Sequence, residues 1–408
     1  MNKPKIFTIT SPLHDAAAIA VSTSSFLSSI DIDCDFAGDD YEGFNDCRFP
    51  IIFVRTGGTE SVFLNLVKTG KINLNRRIYL LASNSNNSLA ASMEILSYLR
   101  RNNCRGEIIH GAAETIRRRI EELSMDDKKT KARLGVIGQP SDWLISSGVD
   151  YSVVMENAGV ELVDIAIEEL EEEHSRTADC EIPVEIRNAE CCQKAKEYIA
   201  GAIRLKKALD VIAAKYHLDG FTLRCFDLLT AIHNTGCLAL SMFNSESKVA
   251  TCEGDIPAML SMWTAREVTG TFGFQANPSR MDTIAGEMIF AHCTVPFNLV
   301  ERFSLDTHFE SGIGVGICGK LKEGPVTVLK ISGDMSRYFI AEGRIDRNLC
   351  ERDLCRTQVA IRFNNPGDVF KYFMNRPIGN HHIIIPGNNG RKIEAYMKSM
   401  GAAGEFVE

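Results

Sequence analysis

Short apolar runs that alternate with amphipathic stretches are the feature that most limits how this chain can fold. The apolar runs at residues 49–54 and 76–83 are typical of strands buried on both faces of a sheet. The stretches that follow them, residues 59–70 and 87–103, place apolar side chains at helical spacing. Because strand and helix alternate at this spacing, the pattern predicts a mostly parallel sheet with helices on both faces.

The same pattern begins again after a polar, charged segment at residues 124–133, which we interpret as a linker. Residues 133–143 indicate a strand that ends in a glycine and a loop. Residues 160–173 place apolar side chains on one helical face, and residues 188–220 predict one long helix that ends at Gly220. A second α/β unit is therefore expected after the first.

The last third of the chain has a different pattern, in which short alternating stretches are separated by Gly, Asn and Asp turns. This pattern favours an antiparallel β domain or a small barrel. We therefore expect a fold of class α/β, with two Rossmann-like α/β domains followed by a β-rich antiparallel C-terminal domain. The expected boundaries are residues 1–128, 129–270 and 271–408.

Composition and charge argue against several classes of partner. The chain has 45% hydrophobic and 24% charged residues, a balance typical of globular proteins. Its net charge is −8, so it lacks the excess of basic residues that favours binding to nucleic acid or an anionic membrane. Its 13 cysteines include no CxxC pair and no zinc spacing, which indicates reduced thiols. No apolar stretch approaches the roughly 20 residues needed to span a bilayer, and the N-terminus lacks a signal-peptide pattern. We expect a cytoplasmic protein without nucleic-acid or membrane partners.

The segment CEGD, residues 252–255, places acidic residues where a short apolar strand ends. Asp255 can cap the helix that follows, with Pro257 in its first turn. That role leaves Glu253 without an explanation. Because ligands of α/β proteins gather at the carboxyl ends of strands, Glu253 is a candidate functional residue.

Two polar loops of the first third also follow predicted strands. Residues 54–60 (VRTGGTE) include Arg55 and could hold an anion on backbone N–H groups, or could form a plain strand-to-helix turn. Residues 83–88 (SNSNNS) include Asn87 and could bind hydroxyl groups, or could cap the next helix. Both alternatives stay open from the sequence.

Four histidines are further candidates. His292 ends an apolar run just before a turn, a place where a histidine can also be a core residue, and His308 lies in the segment THFESG. His381 and His382 precede a strongly apolar strand. Because adjacent residues of a strand face opposite ways, only one of this pair can point into a given site.

Glu253, His292 and the His381-His382 pair, in this order, resemble the L-fucose isomerase / L-arabinose isomerase superfamily. The segments RTGGTE, LASNSNNSLAA, CEGDIPAML, ANPSRMD, AHCTVP and THFESGIGV are similar to its short fucose-isomerase-like branch. The resemblance implies two α/β domains and then a β-rich domain. It also implies a metal-dependent aldose–ketose isomerase that acts on a sugar or sugar derivative through a cis-enediol.

The resemblance further implies roles for individual residues. Glu253 would be a metal ligand and an acid/base group, with Asp255 beside it as a second catalytic candidate. The expected metal is a divalent cation, most simply Mn²⁺, held by Glu253, Asn277 and His381, with His381 preferred to His382. The expected substrate-binding residues are His292, His308, Glu310, Arg280, Arg55 and Asn87. Members of the superfamily form trimers or hexamers, so we expect a homotrimer or homohexamer.

Asn277 is a departure from the superfamily, because it stands where the second carboxylate is expected. An asparagine oxygen can bind a metal but cannot exchange a proton near neutral pH. A nearby acid could replace it, and we rank the candidates in the order Asp255, Asp282, Glu310 and Glu287. Alternatively, the chemistry could be that of an epimerase or lyase, or the chain could be a regulatory protein that binds a sugar without converting it.

Overall fold

The chain divides into two compact units, Met1–Lys129 and Thr130–Glu408. The computed structural model describes residues 3–47, 49–74, 76–102, 104–125 and 132–408. Most of the linker predicted at residues 124–133 lies outside the described residues. In the described part of the chain, no helix is both long and apolar enough to cross a membrane.

The first unit is a parallel sheet between two layers of helices, as the sequence predicts. Its strands, in the order β2-β1-β3-β4-β5, are β1 Lys5–Ile9, β2 Asp35–Gly38, β3 Pro50–Val54, β4 Ile78–Ala82 and β5 Gly106–Ile109. Its helices are α1 Ala16–Ile30, α2 Glu60–Lys68, α3 Ser88–Arg101 and α4 Ala113–Met125. Neighbouring residues of a strand enter opposite cores: Ile51 packs in one and Ile52 in the other.

The second unit begins with another parallel sheet, in the order β10-β9-β6-β7. Its strands are β6 Ala132–Ile137, β7 Val160–Ile165, β9 Gly220–Leu223 and β10 Val249–Cys252. A short strand, β8, spans Glu190–Cys191. The helices are α5 Tyr151–Ala158, α6 Ile167–Arg176, α7 Val184–Arg187, α8 Gln193–Lys196, α9 Ile199–Lys215, α10 Leu228–Ala231, α11 Cys237–Ser245 and α12 Ile256–Thr269.

Two helices predicted from the sequence are partly wrong. The first six residues of the segment 160–173 form strand β7, which pairs in parallel with β6. Their spacing fits a strand as well as a helix, and burial of Val160 and Leu162 decides the outcome. The long helix predicted over 188–220 starts only at Ile199, because Cys191 pairs with Leu305 in a small sheet.

Most of the rest of the second unit is a β barrel, which confirms the predicted β-rich antiparallel C-terminal part. Strand β15 pairs with both β18 and β16, so the order β15-β18-β11-β12-β17-β16 closes on itself, and β19 adds to β16. The strands of this sheet are β11 Phe274–Asp282, β12 Glu287–His292, β15 Gly324–Ile331, β16 Arg337–Leu349, β17 Thr357–Phe363, β18 His382–Pro386 and β19 Ala403–Val407. Strands β13 Val300–Asp306 and β14 Gly316–Leu321 form a separate small sheet with β8, in the order β14-β13-β8. Helices α13 Pro366–Asn375 and α14 Gly390–Ser399 and a 3₁₀ turn at Phe297–Leu299 complete the unit.

A glutamine side chain joins the parallel sheet to the barrel. Gln275 of β11 accepts a hydrogen bond from the backbone N–H of Cys252 at 2.8 Å, and its amide nitrogen lies 3.4 Å from the carbonyl oxygen of Cys252. These contacts satisfy backbone groups at the end of strand β10, which lies at the edge of its sheet. Glu253 follows directly, so its backbone is fixed against the barrel.

The turn that presents Glu253 has a left-handed backbone. Glu253 has φ +66° and Gly254 has φ +68°, a region that residues other than glycine seldom occupy. A Cβ atom on Gly254 would come within 2.7 Å of the Gln139 carbonyl oxygen and 2.8 Å of Pro140 Cα. Because both of these are backbone atoms, the neighbours have little freedom to move aside.

We therefore expect Gly254→Ala to destabilise the second unit more than Gly270→Ala. Gly270 has a similar φ of +69° but open space around it, so alanine there adds only the backbone strain of about 1–2 kcal/mol. At Gly254 the clash adds to that strain, and we expect a total loss of about 3 kcal/mol. Urea unfolding followed by tryptophan emission measures both. Equal losses would show that the close approach at Gly254 has no energetic role.

Candidate active site

Three buried side chains from separate elements of the second unit meet at one point. Glu253 follows β10, His292 ends β12, and His381 directly precedes β18. Oε1 of Glu253 lies 3.4 Å from Nε2 of His381 and 3.8 Å from Nε2 of His292. Among the described residues, these form the one group of His, Cys, Asp and Glu whose possible ligand atoms all lie within 4.8 Å of one another.

His381 is held with one ring nitrogen directed into this cluster. Its Nδ1 lies 2.8 Å from Oδ2 of Asp255, and since the carboxylate can only accept, Nδ1–H is the donor. Its Nε2 is buried and has no hydrogen-bond partner among the described residues. A carboxylate that orients a histidine through the opposite nitrogen is the arrangement typical of metal-binding histidines.

Electrostatics of the cluster follow from burial and from these contacts. Burial opposes a charge on His381, but Asp255 and Glu253 outweigh it and raise the pKa of the imidazole to about 9. Burial also opposes ionisation of Glu253, but the neighbouring His292 and His381 hold the pKa of the carboxyl below its usual range. Without a bound cation, the cluster thus contains an ionised carboxylate.

Asp255 links this cluster to the core of the unit. Its Oδ1 accepts the backbone N–H of Ala258 at 2.9 Å, which caps helix α12 as the sequence predicts. Its Oδ2 lies 3.6 Å from Nζ of Lys330, a side chain of β15 that is 1% exposed. Burial lowers the pKa of Lys330 and the charge of Asp255 opposes that change. Burial works against ionisation of Asp255 too, but Lys330 and then His381 hold its pKa well below the usual value.

Trp143 holds the other oxygen of Glu253. Its Nε1–H donates to Oε2 at 2.7 Å. The indole packs edge-to-face against Phe226, and Phe226 packs in the same way against His308. Trp143 follows β6 and Phe226 follows β9, so the carboxyl ends of three neighbouring parallel strands supply Trp143, Phe226 and Glu253. This is the edge at which α/β sheets bind their ligands.

The cluster fits a divalent metal ion. One carboxylate and two imidazoles form a donor set that suits divalent transition metals, including Mn²⁺, Fe²⁺ and Zn²⁺. The buried Nε2 of His381 has no hydrogen-bond partner among the described residues, and a buried polar atom without a partner costs about 1–3 kcal/mol. Three protein ligands would leave positions for oxygen atoms of a substrate.

Two other predicted residues of the second unit, Asn277 and His382, have hydrogen-bond partners outside the cluster. Asn277 accepts a hydrogen bond from Asn380, the neighbour of His381, at 3.3 Å, and its role as a metal ligand stays a prediction. His382 points away from the cluster and contacts the Tyr372 hydroxyl at 3.1 Å. The strand alternation thus separates the two adjacent histidines as expected.

His308, Glu310 and Arg280 have separate environments. The ring of His308 lies near that of Phe226, and Glu310 lies in the same turn as His308. Arg280 forms an exposed ion pair with Glu351, with nitrogen and oxygen 2.6 Å apart.

Arg55 and Asn87 belong to the first unit. Nε of Arg55 donates to Oγ1 of Thr10 at 2.6 Å. Asn87 has φ +56°, precedes helix α3 and makes no side-chain cap of it. It lines a cleft with Ser83, Asn84, Ser85 and His110 at the carboxyl ends of β4 and β5. Whether either residue binds a substrate stays a prediction.

The chain is similar to known sugar isomerases. No family model matches it. The sulfoquinovose isomerase of Priestia aryabhattai is 21% identical over 286 residues, which is 67% of this chain and 64% of that protein. The protein of the same name from Priestia megaterium matches to the same extent. That of Clostridium sp. is 27% identical over 124 residues, 30% of this chain and 26% of its own length.

This similarity supports a sugar isomerase, and the chain spans slightly less than two thirds of the Priestia proteins it matches. The narrower resemblance to L-fucose and L-arabinose isomerases stays a prediction. So does the assembly into trimers or hexamers.

Trp143 and Lys330 were missed by the sequence analysis. Trp143 follows a predicted strand and loop, so it could have been identified, like Glu253, from the tendency of α/β sheets to bind ligands at the carboxyl ends of their strands. Lys330 is a single charge within the apolar stretch GPVTVLKISG, and a lysine at such a position needs a buried partner.

We expect Asp255→Asn to destabilise the second unit mainly by leaving Lys330 without its counter-charge. Asparagine is a good helix cap, so the cap itself survives. Removing one partner of a buried pair costs about 3–5 kcal/mol, whereas replacing both can be nearly neutral. The double variant Asp255→Asn/Lys330→Met should therefore recover most of the loss.

Both tryptophans, Trp143 and Trp263, lie in the second unit, so their emission during urea unfolding follows that unit alone. Simple addition of the two single losses would contradict the pairing of Asp255 with Lys330.

Proposed function

We propose that this protein is a metal-dependent isomerase that interconverts an aldose and a ketose of a sugar or sugar derivative. The observation that supports this most is the buried cluster of Glu253, His292 and His381, with Nε2 of His381 unpartnered among the described residues. The similarity to sulfoquinovose isomerases supports the sugar class.

Glu253, His292 and His381 would hold the cation, for which we propose Mn²⁺. A divalent cation there would act as a Lewis acid that polarises the sugar carbonyl and acidifies the adjacent C–H bond. The chain itself must then move a proton between C1 and C2. Glu253 is one candidate for this, since its carboxylate lies at the cluster and is oriented by Trp143.

For the second proton carrier we propose Glu310. Three other acids considered from the sequence have fixed roles. Asp255 is buried in contact with Lys330, Asp282 accepts two backbone N–H bonds in an exposed turn, and Glu287 forms a two-fold ion pair with Arg347. In the described part of the chain, Glu310 has no ion-pair partner.

Glu310 and Glu253 both influence the same thiol, that of Cys355. The pKa of the Cys355 thiol is raised by its contact with Cys293, then by burial, and further by the charges of both Glu310 and Glu253. Both carboxylates therefore affect the pKa of the Cys355 thiol. The same turn includes His308, whose ring lies near that of Phe226 beside Trp143.

We expect Glu253→Gln to remove bound metal while the fold survives. The substitution keeps the shape of the side chain and the Trp143 contact but removes the one anionic donor of the cluster. Metal content is measured by mass spectrometry after dialysis against Mn²⁺ and gel filtration. The matched control is Glu301→Gln, which changes an exposed glutamate that pairs with Lys320 and should retain the wild-type metal content. Equal metal content in both variants would contradict the proposed ligand set.

We expect Glu310→Gln to lower kcat by about 10²–10⁴-fold with metal content unchanged, because general acid/base groups contribute factors of this size. Activity is measured on the sugar found by screening aldoses and ketoses, with sulfoquinovose in the panel. Asp282→Asn is the control, since its exposed turn lies at the end of β11 and should leave kcat unaltered. A near-normal kcat for Glu310→Gln would remove this residue from the mechanism.

A further inference from the structure

Trp143 is exposed to solvent and yet hydrogen-bonded to a buried group. It is 53% exposed, although large aromatic side chains are usually much more buried. Its N–H group nevertheless binds the carboxylate of Glu253, which is 8% exposed. The polar corner of the indole is therefore fixed to the cluster, while apolar ring surface faces solvent.

The orientation of this ring is fixed on a second side. Trp143 and Phe226 have ring centroids 4.9 Å apart at 83°, and Phe226 and His308 have centroids 5.5 Å apart at 84°. These rings come from three loops, which follow β6, β9 and β13. The exposed surface of Trp143 is thus held in place beside the cluster before any ligand arrives, and a binding surface fixed in advance costs little entropy.

Polar groups lie in the chain segments that carry Trp143 and Phe226. Arg224 donates to the backbone oxygen of Pro140 at 2.7 Å and forms ion pairs with Asp142 and Asp227. Asp142, the neighbour of Trp143 in the chain, is 87% exposed in its side chain. An apolar ring with charged and hydrogen-bonding neighbours suits a ligand that has both C–H and O–H groups.

We propose that the exposed surface of Trp143 is the stacking surface for the carbon chain of a polyhydroxylated ligand whose terminal oxygens reach the cluster of Glu253, His292 and His381. The inference rests on the proposed function and assigns part of its substrate site. The C–H groups of such a chain carry partial positive charge, and the face of an aromatic ring carries partial negative charge. Hydroxyl groups on the opposite edge remain free to bind polar side chains.

Tryptophan emission gives a direct test, because the chain has only two tryptophans. Trp263 is 1% exposed in the core and can be replaced in Trp263→Phe, so that emission reports on Trp143 alone. If that variant does not fold, the difference in emission between wild type and Trp143→Phe gives the same information. The probes are pentitols and hexitols, which lack a carbonyl group and cannot be isomerised, added to protein saturated with Mn²⁺.

We expect at least one alditol to shift the emission of Trp143 to shorter wavelength, as the ring loses contact with water. By calorimetry, Trp143→Ala should bind that alditol about fivefold more weakly, which corresponds to a lost aromatic contact of about 1 kcal/mol. Trp143→Phe keeps an aromatic ring and should retain most of the affinity. Each variant is assayed with its metal content measured, because loss of the N–H bond to Glu253 can weaken metal binding separately.

Three results would overturn the inference. One is alditol binding without any change in the emission of Trp143. Another is unchanged alditol affinity in metal-saturated Trp143→Ala. If only the oligomeric state of that variant changes, Trp143 lies in a contact between copies instead. The third is the absence of alditol binding to protein that holds metal. If the protein binds metal and converts a sugar in any of these cases, the proposed function stands and only the stacking role of Trp143 fails. If the wild-type protein binds no metal, the proposed function itself is refuted.

Discussion

The hydrogen bond between Asp255 and His381 is the contact on which the rest of the candidate site depends. It is fully buried and joins the start of helix α12 to the start of strand β18. The same carboxylate faces the charge of Lys330 on β15. One side chain therefore fixes a helix terminus, a buried lysine and the orientation of a candidate ligand. In a buried network of this kind, removal of one partner is costly for the group that remains.

Residues of the candidate site come from both the parallel sheet and the barrel. The parallel sheet ends in loops that supply Trp143, Phe226 and Glu253, and the barrel supplies His292 and His381. Gln275 joins the two sheets through the backbone of Cys252, one residue before Glu253. Because sites built on strands are more precise than sites on loops, residues at or next to strand ends are well placed to hold a fixed geometry.

Most of the architecture could be predicted from the sequence because the apolar runs of strands such as β3 and β4 allow few alternatives. Glu253 could be identified as a candidate because helix capping accounts for Asp255, whereas no role in local secondary structure accounts for Glu253. The strand β7 was predicted as a helix because its apolar spacing fits both structures, and the choice depends on pairing with β6, a contact that the local pattern does not contain.

The contacts that each acidic side chain makes in the fold could likewise not be predicted from the sequence. Asp255 ranked first as the second proton carrier, yet its buried contacts with His381 and Lys330 give it a different role. Glu310 ranked lower, but the fold brings its turn towards the aromatic residues beside Glu253. Charge pairing between residues that are far apart in the chain decides which carboxylate is free, and no spacing rule encodes it.

The most direct test of the central claim is a crystal structure of the Mn²⁺-saturated protein with anomalous scattering data collected at the manganese absorption edge. The account predicts one strong anomalous peak bonded to Oε1 of Glu253 and to Nε2 of both His292 and His381, with the Asp255–His381 hydrogen bond retained. A peak elsewhere, or no peak with Nε2 of His381 hydrogen-bonded to a protein group, would contradict it.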